Sequence, residues 1–238
     1  MAPGNESEFM QKYLTPLAVL LGAGLIAVAL IWGGGVRGTN PNDPNAAAPE
    51  VDINEISTDS PTVGDPNAPT TVAVFYDYQC PFCKQFEQTV IPELQEYVDA
   101  GKTKIVYKDF QFLGEDSLTA AVFGRAVYEA YPDRFHEWFI AMSNAQDDQE
   151  VGHDEGFGDQ ASIEALTAGI AGIDVSRVTA LINEKRATYE TAIEADYNEG
   201  TALGINGTPS VVVGKKLLSG RSPAQFLSEI KAELDAQL

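Results

Sequence analysis

The chain has 238 residues, with 35 acidic against 15 basic side chains, a formal net charge of −20 and a sequence pI near 4.2. Nucleic-acid binding needs a cationic footprint and none is present, which excludes that class; the same charge resists adhesion to anionic lipid. Cys80 and Cys83 are the only cysteines, and neither an internal repeat nor a glycine-rich phosphate loop is visible.

Between Lys12 and Arg37 runs YLTPLAVLLGAGLIAVALIWGGGV, uncharged throughout and longer than the roughly 20 residues a membrane helix needs. A cleaved signal has a shorter apolar region closely followed by a small-residue site. Here the candidate site, AAAP at Ala46 to Pro49, sits well beyond the run. The sequence therefore predicts a cytoplasmic N-terminus at 1–12 and an uncleaved transmembrane anchor at 13–36, with Trp32 in the interfacial belt. Lys12 and the amino terminus against Arg37 slightly favour a cytoplasmic N-terminus, so the chain is expected to be a single-pass cell-membrane protein with its remainder extracytoplasmic. Residues 37–62, rich in Pro, Asn, Asp and Ala, read as an extended linker. Within them EVDINEI alternates over too few residues to establish an edge strand. The folded domain is expected at 63–238.

TTVAVFYD, apolar and β-branched, reads as a buried strand ending just before the cysteines. After them PFCKQFEQTVIPELQEYV carries Phe82, Phe86, Val90, Leu94 and Val98 at four-residue spacing, which predicts one amphipathic helix. The pair thus lies at a strand-to-helix turn. Pro81 suits the first helical position and puts Cys80 at the N-cap, where free amides and the helix dipole stabilise a thiolate. Cys80 is then the nucleophile, and Cys83, one turn inward and more shielded, the resolving thiol.

Other uses of the pair are weaker. A disulfide closing so short a loop stabilises little. Zinc would have to recruit His136, His153 or distant carboxylates, so no metal and no cofactor is expected. A redox-active dithiol remains.

TKIVYKDF follows as a second strand. The stretch from there to Pro209 exceeds one βα crossover, whose minimum is about a dozen residues. Four helical patterns fill it: SLTAAVFGRAVYEAY, RFHEWFIAMSNA, SIEALTAGIAG, and DVSRVTALINEKRATYETAIEADYNEG with Asp174 as N-cap. The fold class is thus α/β, with a helical insertion at about 113–200. His136 and Trp138, inside it, read as packing residues. Asp147, Asp148, Glu150, Asp154, Glu155 and Asp159 read as a solvated acidic loop, because their spacing does not match an EF-hand. SVVVGKKLLSG then reads as two strands around Gly214 to Lys216, and SPAQFLSEIKAELDAQL as a closing helix with Ser222 as N-cap and Pro223 at the first position.

GDPNAPTTVAVFYDYQCPFCK together with GINGTPSVVVGKKLLSG resembles the DsbA-like branch of the thioredoxin superfamily, from about Val63 to the C-terminus. The resemblance implies a thioredoxin-like fold and a thiol:disulfide oxidoreductase. It also implies that Thr208 and Pro209 form a cis-proline loop lying against the redox pair; taken alone, an ordinary trans turn fits those residues too. The chain departs from the superfamily six residues before Cys80, where a buried acid is common and Val74 stands. Asp77 and Lys108 become the candidates for moving the proton of Cys83, with a turn-bonding role for Asp77 equally open. Phe82, inside the motif, supplies no polar hydrogen where many relatives carry histidine, which predicts a weaker oxidant.

Three functions follow from this reading. The leading one is a membrane-anchored oxidase that introduces disulfides into reduced secreted proteins as a monomer, reoxidised by a membrane partner of the DsbB or VKOR type, as the resemblance implies. Opposite in direction is a reductase or isomerase kept reduced by a membrane electron donor. The third is a thioredoxin-like chaperone or binding module with an incidental dithiol.

Overall fold

A computed structural model describes residues 51–146 and 157–238, all within the unit Ala48–Leu238. The expected anchor at 13–36, with its cytoplasmic flank, lies outside the described residues, and so does most of the acidic loop. Among the described residues no helix is long and apolar enough to cross a membrane.

Five strands form one sheet: β1 Thr62–Val63, β2 Thr70–Tyr76, β3 Thr103–Asp109, β4 Ser210–Val213 and β5 Lys216–Ser219, in the order β1-β3-β2-β4-β5. β2 and β3 are parallel, with Val74 opposite Tyr107 and Phe75 opposite Lys108, whereas β4 pairs antiparallel with both β2 and β5. The parallel pair requires a crossover, and the helices α1 Pro81–Thr89 and α2 Gln95–Asp99 supply it. The β4–β5 hairpin turns at Gly214, whose φ of 57° suits glycine. It leads to the closing helix, numbered α7 below.

The helix predicted over Pro81 to Val98 is broken. α1 ends at Thr89, a 3-10 turn spans Ile91–Leu94, and α2 is separate. Pro92 is the reason: it has no amide hydrogen, and its ring collides with the carbonyl four residues back. Phe86, Val90, Leu94 and Val98 are buried as the spacing predicted, but Phe82 points out with 67% exposure.

The helical insertion comprises α3 Glu115–Ala130, α4 Phe135–Ala145, α5 Gln160–Ala168 and α6 Val175–Ala202. Asp159 caps α5 by accepting from the Ser162 amide, and Asp174 caps α6 through Ser176. α7 Pro223–Gln237 opens with Pro223 and a reciprocal box between Ser222 and Gln225. The sequence placed both of these caps, at Asp174 and Ser222.

The sheet divides the interior. Val72, Val74, Tyr76, Ile105 and Tyr107 face one core, shared with α1, α3, α4 and α7; Ala73, Phe75 and Val212 face the other, shared with Phe110 and Ile205. α6 crosses this second face so closely at Gly200 that a Cβ there would lie 2.8 Å from the Phe110 ring.

Residues 51–62, expected as linker, belong to the packed fold. Ile53 and Ile56 are buried against the second face, and Ile53 N donates to Gly214 O at 2.9 Å. EVDINEI forms a 3-10 turn at Ile53–Glu55 rather than an edge strand, because Asp52 folds back to accept from the Asn54 amide.

Candidate active site

Cys80 occupies the N-cap of α1 with extended backbone, and Pro81 is the first helical residue. The Cys80 amide donates to Asp77 O at 3.1 Å, while the Cys80 carbonyl accepts from the Cys83 and Lys84 amides. Both thiols are free. The Thr208–Pro209 bond is cis, and the Cys80 thiol donates to Thr208 O at 3.4 Å. Strand pairing of β4 with β2, which begins at Ser210 opposite Phe75, brings this loop to the cysteine turn across 128 positions of sequence.

The two sulfurs differ. Cys80 has its pKa lowered to about 6, first because the Cys83 thiol donates to its thiolate. Burial opposes this, while the Thr208 side chain and the amides of Cys83 and Phe82 reinforce it. The helix-end amides act in the expected direction but are not the main cause. Cys83 is raised well above the ordinary thiol value, first by burial and then by Cys80. Residue exposure barely separates the pair, at 4% for Cys80 and 8% for Cys83. What separates them is position: Cys83 lies in the first turn of α1 and lines the cavity behind it, whereas Cys80 caps the N-terminus of α1 beside Thr208. Thr208 Oγ1 is buried and has no partner among the described residues in the dithiol form, so its hydroxyl is available to a thiolate.

Asp77 lines the same cavity as Cys83, but its carboxylate is taken up by the backbone around it. Its carboxylate accepts from the amides of Gln79 at 2.8 Å, Phe112 at 2.8 Å and Leu113 at 3.1 Å, and from Ser117 Oγ at 2.5 Å. It ties the turn before the motif to the start of α3. Burial raises its pKa against these bonds. Lys108 is on the wrong face of the sheet. Side chains alternate along β3, so Tyr107 faces α1 and Lys108 faces the second core. There it is fully buried and pairs with Asp196 and with Glu199, the latter at 2.8 Å. Arg125 joins the same network through Asp109 at 2.7 Å and through Asp196. The expectation that Lys108 neighbours the redox pair is therefore corrected.

Sequence reasoning missed Glu87 and the partners it gathers. Glu87 lies four residues after Cys83 on the buried side of α1, accepts from Tyr107 OH at 3.2 Å and sits 3.2 Å from His136 Nε2. The spacing to Cys83 was a legible signal; the pairing with His136 was not. His136 is thus more than a packing residue, while Trp138 packs as expected, with Nε1 donating to Thr167 Oγ1. Tyr78 also closes on the site from outside the motif. Its hydroxyl approaches α3 so tightly that a Cβ on Gly124 would lie 2.2 Å away.

Beside the pair, Phe82, Phe86, Thr208, Pro209, Pro223 and Phe226 line a cleft of about 310 Å³. A helix-capping thiol with a lowered pKa, a raised thiol one turn behind it and a cis-proline loop against the first form one constellation. The family model described as thioredoxin matches residues 57–232. This chain belongs to the thioredoxin family. It is 28% identical over 186 residues to disulfide bond formation protein D of Bacillus subtilis (strain 168), covering 75% of this chain and 77% of that protein. It is also 28% identical over 157 residues to a probable disulfide bond formation protein D of Bacillus anthracis, covering 66% and 70%. The solved structure of oxidised BdbD from Bacillus subtilis has the same fold, with a TM-score of 0.66 and 24% identity over 81% of this chain and 97% of that one. DsbA of Chlamydia trachomatis matches at a TM-score of 0.62 and 23% identity, covering 79% and 96%. By its family and its curated relatives the chain is a thiol:disulfide oxidoreductase, and the solved structures show that its fold is DsbA-like.

Proposed function

We propose that the chain is a membrane-anchored oxidase that introduces disulfides into reduced secreted proteins through Cys80 and Cys83. The observation that carries this reading is the asymmetry of the two thiols. A thiolate stabilised at Cys80 is a good leaving group and favours the reduced enzyme, which makes the disulfide form oxidising.

In this reading a substrate thiolate attacks Cys80 Sγ of the Cys80–Cys83 disulfide, and Cys83 leaves with the electron pair. A second substrate thiolate then attacks the substrate sulfur of the mixed disulfide and releases the Cys80 thiolate. The substrate gains a disulfide and the enzyme becomes a dithiol. Thr208 and Pro209 form the substrate loop, with Pro81 and Phe82 completing the motif. The uncharged run at 13–36 anchors the chain, the domain that begins at about residue 51 works outside the membrane as a monomer, and a membrane partner of the DsbB or VKOR type restores the disulfide. The names of the Bacillus relatives, disulfide bond formation protein D, support the direction.

The test is the equilibrium with glutathione, together with oxidation of a reduced, unfolded protein. A potential above about −200 mV and loss of oxidation in Cys80→Ser are expected; a value near the roughly −270 mV of thioredoxin overturns the oxidase direction. Oxidation that survives Cys80→Ser overturns the enzymatic role of the pair.

A further inference from the structure

Opening a Cys80–Cys83 disulfide leaves an electron pair on Cys83, and closing it requires Cys83 to surrender a proton. The deeper sulfur therefore needs a partner with which to exchange protons, the more so because burial disfavours its thiolate. Val74 stands where an acid would serve, the Asp77 carboxylate is turned toward the start of α3, and Lys108 lies across the sheet.

Behind α1 is a cavity of about 10 Å³ whose lining includes Cys83, Glu87, Tyr76, Tyr107, Phe139 and Gln146. That volume admits the centre of a single water. Gln146 Oε1 is buried with no hydrogen-bond partner among the described residues, which gives a polar guest an acceptor. Glu87, on the same buried side of α1 one turn beyond Cys83, is 5% exposed, and its other contact, His136, has a side chain 23% exposed. Sulfur, cavity, carboxylate, imidazole and solvent thus follow one another.

We propose that Glu87 exchanges the Cys83 proton through this cavity, with His136 as the outlet to solvent. The inference rests on Cys80 and Cys83 being the exchanging and resolving sulfurs. In the opening step a substrate sulfur bonds to Cys80 Sγ, the Cys80–Cys83 bond breaks, and Cys83 Sγ takes a proton relayed from the Glu87 carboxyl. In the closing step the Glu87 carboxylate receives the Cys83 proton, Cys83 Sγ bonds to Cys80 Sγ, and the partner sulfur leaves as a thiolate. The groups around Glu87 are Cys83 and Lys84 from its own helix, Tyr76 and Tyr107 from the sheet, Asp77 and Tyr78 from the turn, and His136 from α4. Burial holds all three tyrosines well above their ordinary range, so they stay neutral. Lys84 Nζ donates to Gln146 O at 2.8 Å.

The test uses the full chain carrying glutathione on Cys80 and follows its release by Cys83 across pH. Glu87→Gln should slow release at neutral pH on the order of a hundredfold, the scale of one positioned acid–base group. It should also erase the pH inflection, leaving the alkylation profile of Cys80 in place. Glu87→Ala should regain rate with added formate. If neither variant folds, His136→Gln keeps the carboxylate and carries the test: release should slow and recover with added imidazole. Release unchanged in rate and pH profile in Glu87→Gln, or in His136→Gln where that variant must stand in, overturns the proposal. Cys83→Ala separates the two levels: release lost there but intact in Glu87→Gln sinks the relay alone, while release intact in Cys83→Ala sinks the resolving role as well.

Discussion

Raising pH should stabilise the reduced protein relative to the oxidised one, by an amount the Cys80 shift sets. The folded pKa of Cys80 is depressed, from 9.0 to about 6, so its contribution is complete above the unfolded value and vanishes as pH falls through the folded one. Each unit inside that window is worth about 1.4 kcal/mol. With those two end points the gain is under roughly 0.1 kcal/mol at pH 5, near 1.4 at pH 7 and close to 2.7 at pH 8. Cys80 is 4% exposed, so solvent screening does not discount it. Cys83 acts with the opposite sign: its folded pKa is raised, which costs stability only as pH rises past the unfolded thiol value. The window from pH 5 to pH 8 isolates Cys80. Asp77 and Asp109, both raised by burial, titrate in both redox forms and cancel in the difference. The assay is urea unfolding of reduced and oxidised protein at matched pH, reading the difference in unfolding free energy. A rise of roughly 2.5 kcal/mol between pH 5 and pH 8 is expected. A difference that is flat or falls with pH would falsify the assignment of a stabilised thiolate to Cys80.

Three further outcomes separate the contributing groups. In Cys83→Ala the Cys80 thiol should titrate closer to its ordinary value than in Thr208→Val, because the Cys83 thiol is the larger cause of the lowering; iodoacetamide rates against pH check the order. Asp77→Ala leaves the part-buried Phe112 and Leu113 amides without their acceptor and should cost on the order of 2 to 6 kcal/mol in denaturant melts, at about 1–3 kcal/mol per unsatisfied donor; an unchanged midpoint contradicts the structural role. Lys108→Met strips a buried cation from Asp196 and Glu199 and should lower stability by about 3–5 kcal/mol. The potential against glutathione should stay in place, and a large displacement would mean that Lys108 acts on the redox pair after all.

Much of this molecule is local in origin. Cys80, Pro81 and Cys83 follow a β-branched run and precede an apolar period, and that order alone puts a thiol on a helix N-cap. Asp174 and Ser222 announce their helices in the same way, because a cap needs only its own side chain and the amides two or three residues on. The cis-proline loop was legible as well, through a resemblance carried by two separated motifs. Pro92 was in plain view too, although the four-residue spacing runs through it unbroken and carries no sign of the break that a proline imposes.

The sheet decided what periodicity left open. A strand pattern says that Tyr107 and Lys108 face opposite ways, but which of them faces Cys83 depends on the core that β3 joins. Arg125 and Asp196 meet across 71 positions, and Glu87 and His136 across 49. Residues 51–56 fold against the β4–β5 hairpin, although the alternation in EVDINEI is too short to show it. The proposed redox pair was legible in the sequence because a helix end and two neighbouring thiols make their chemistry within a few residues. The surroundings of its second sulfur came only with tertiary structure, because a buried charge needs partners and the chain brings those partners from strands and helices far apart in sequence.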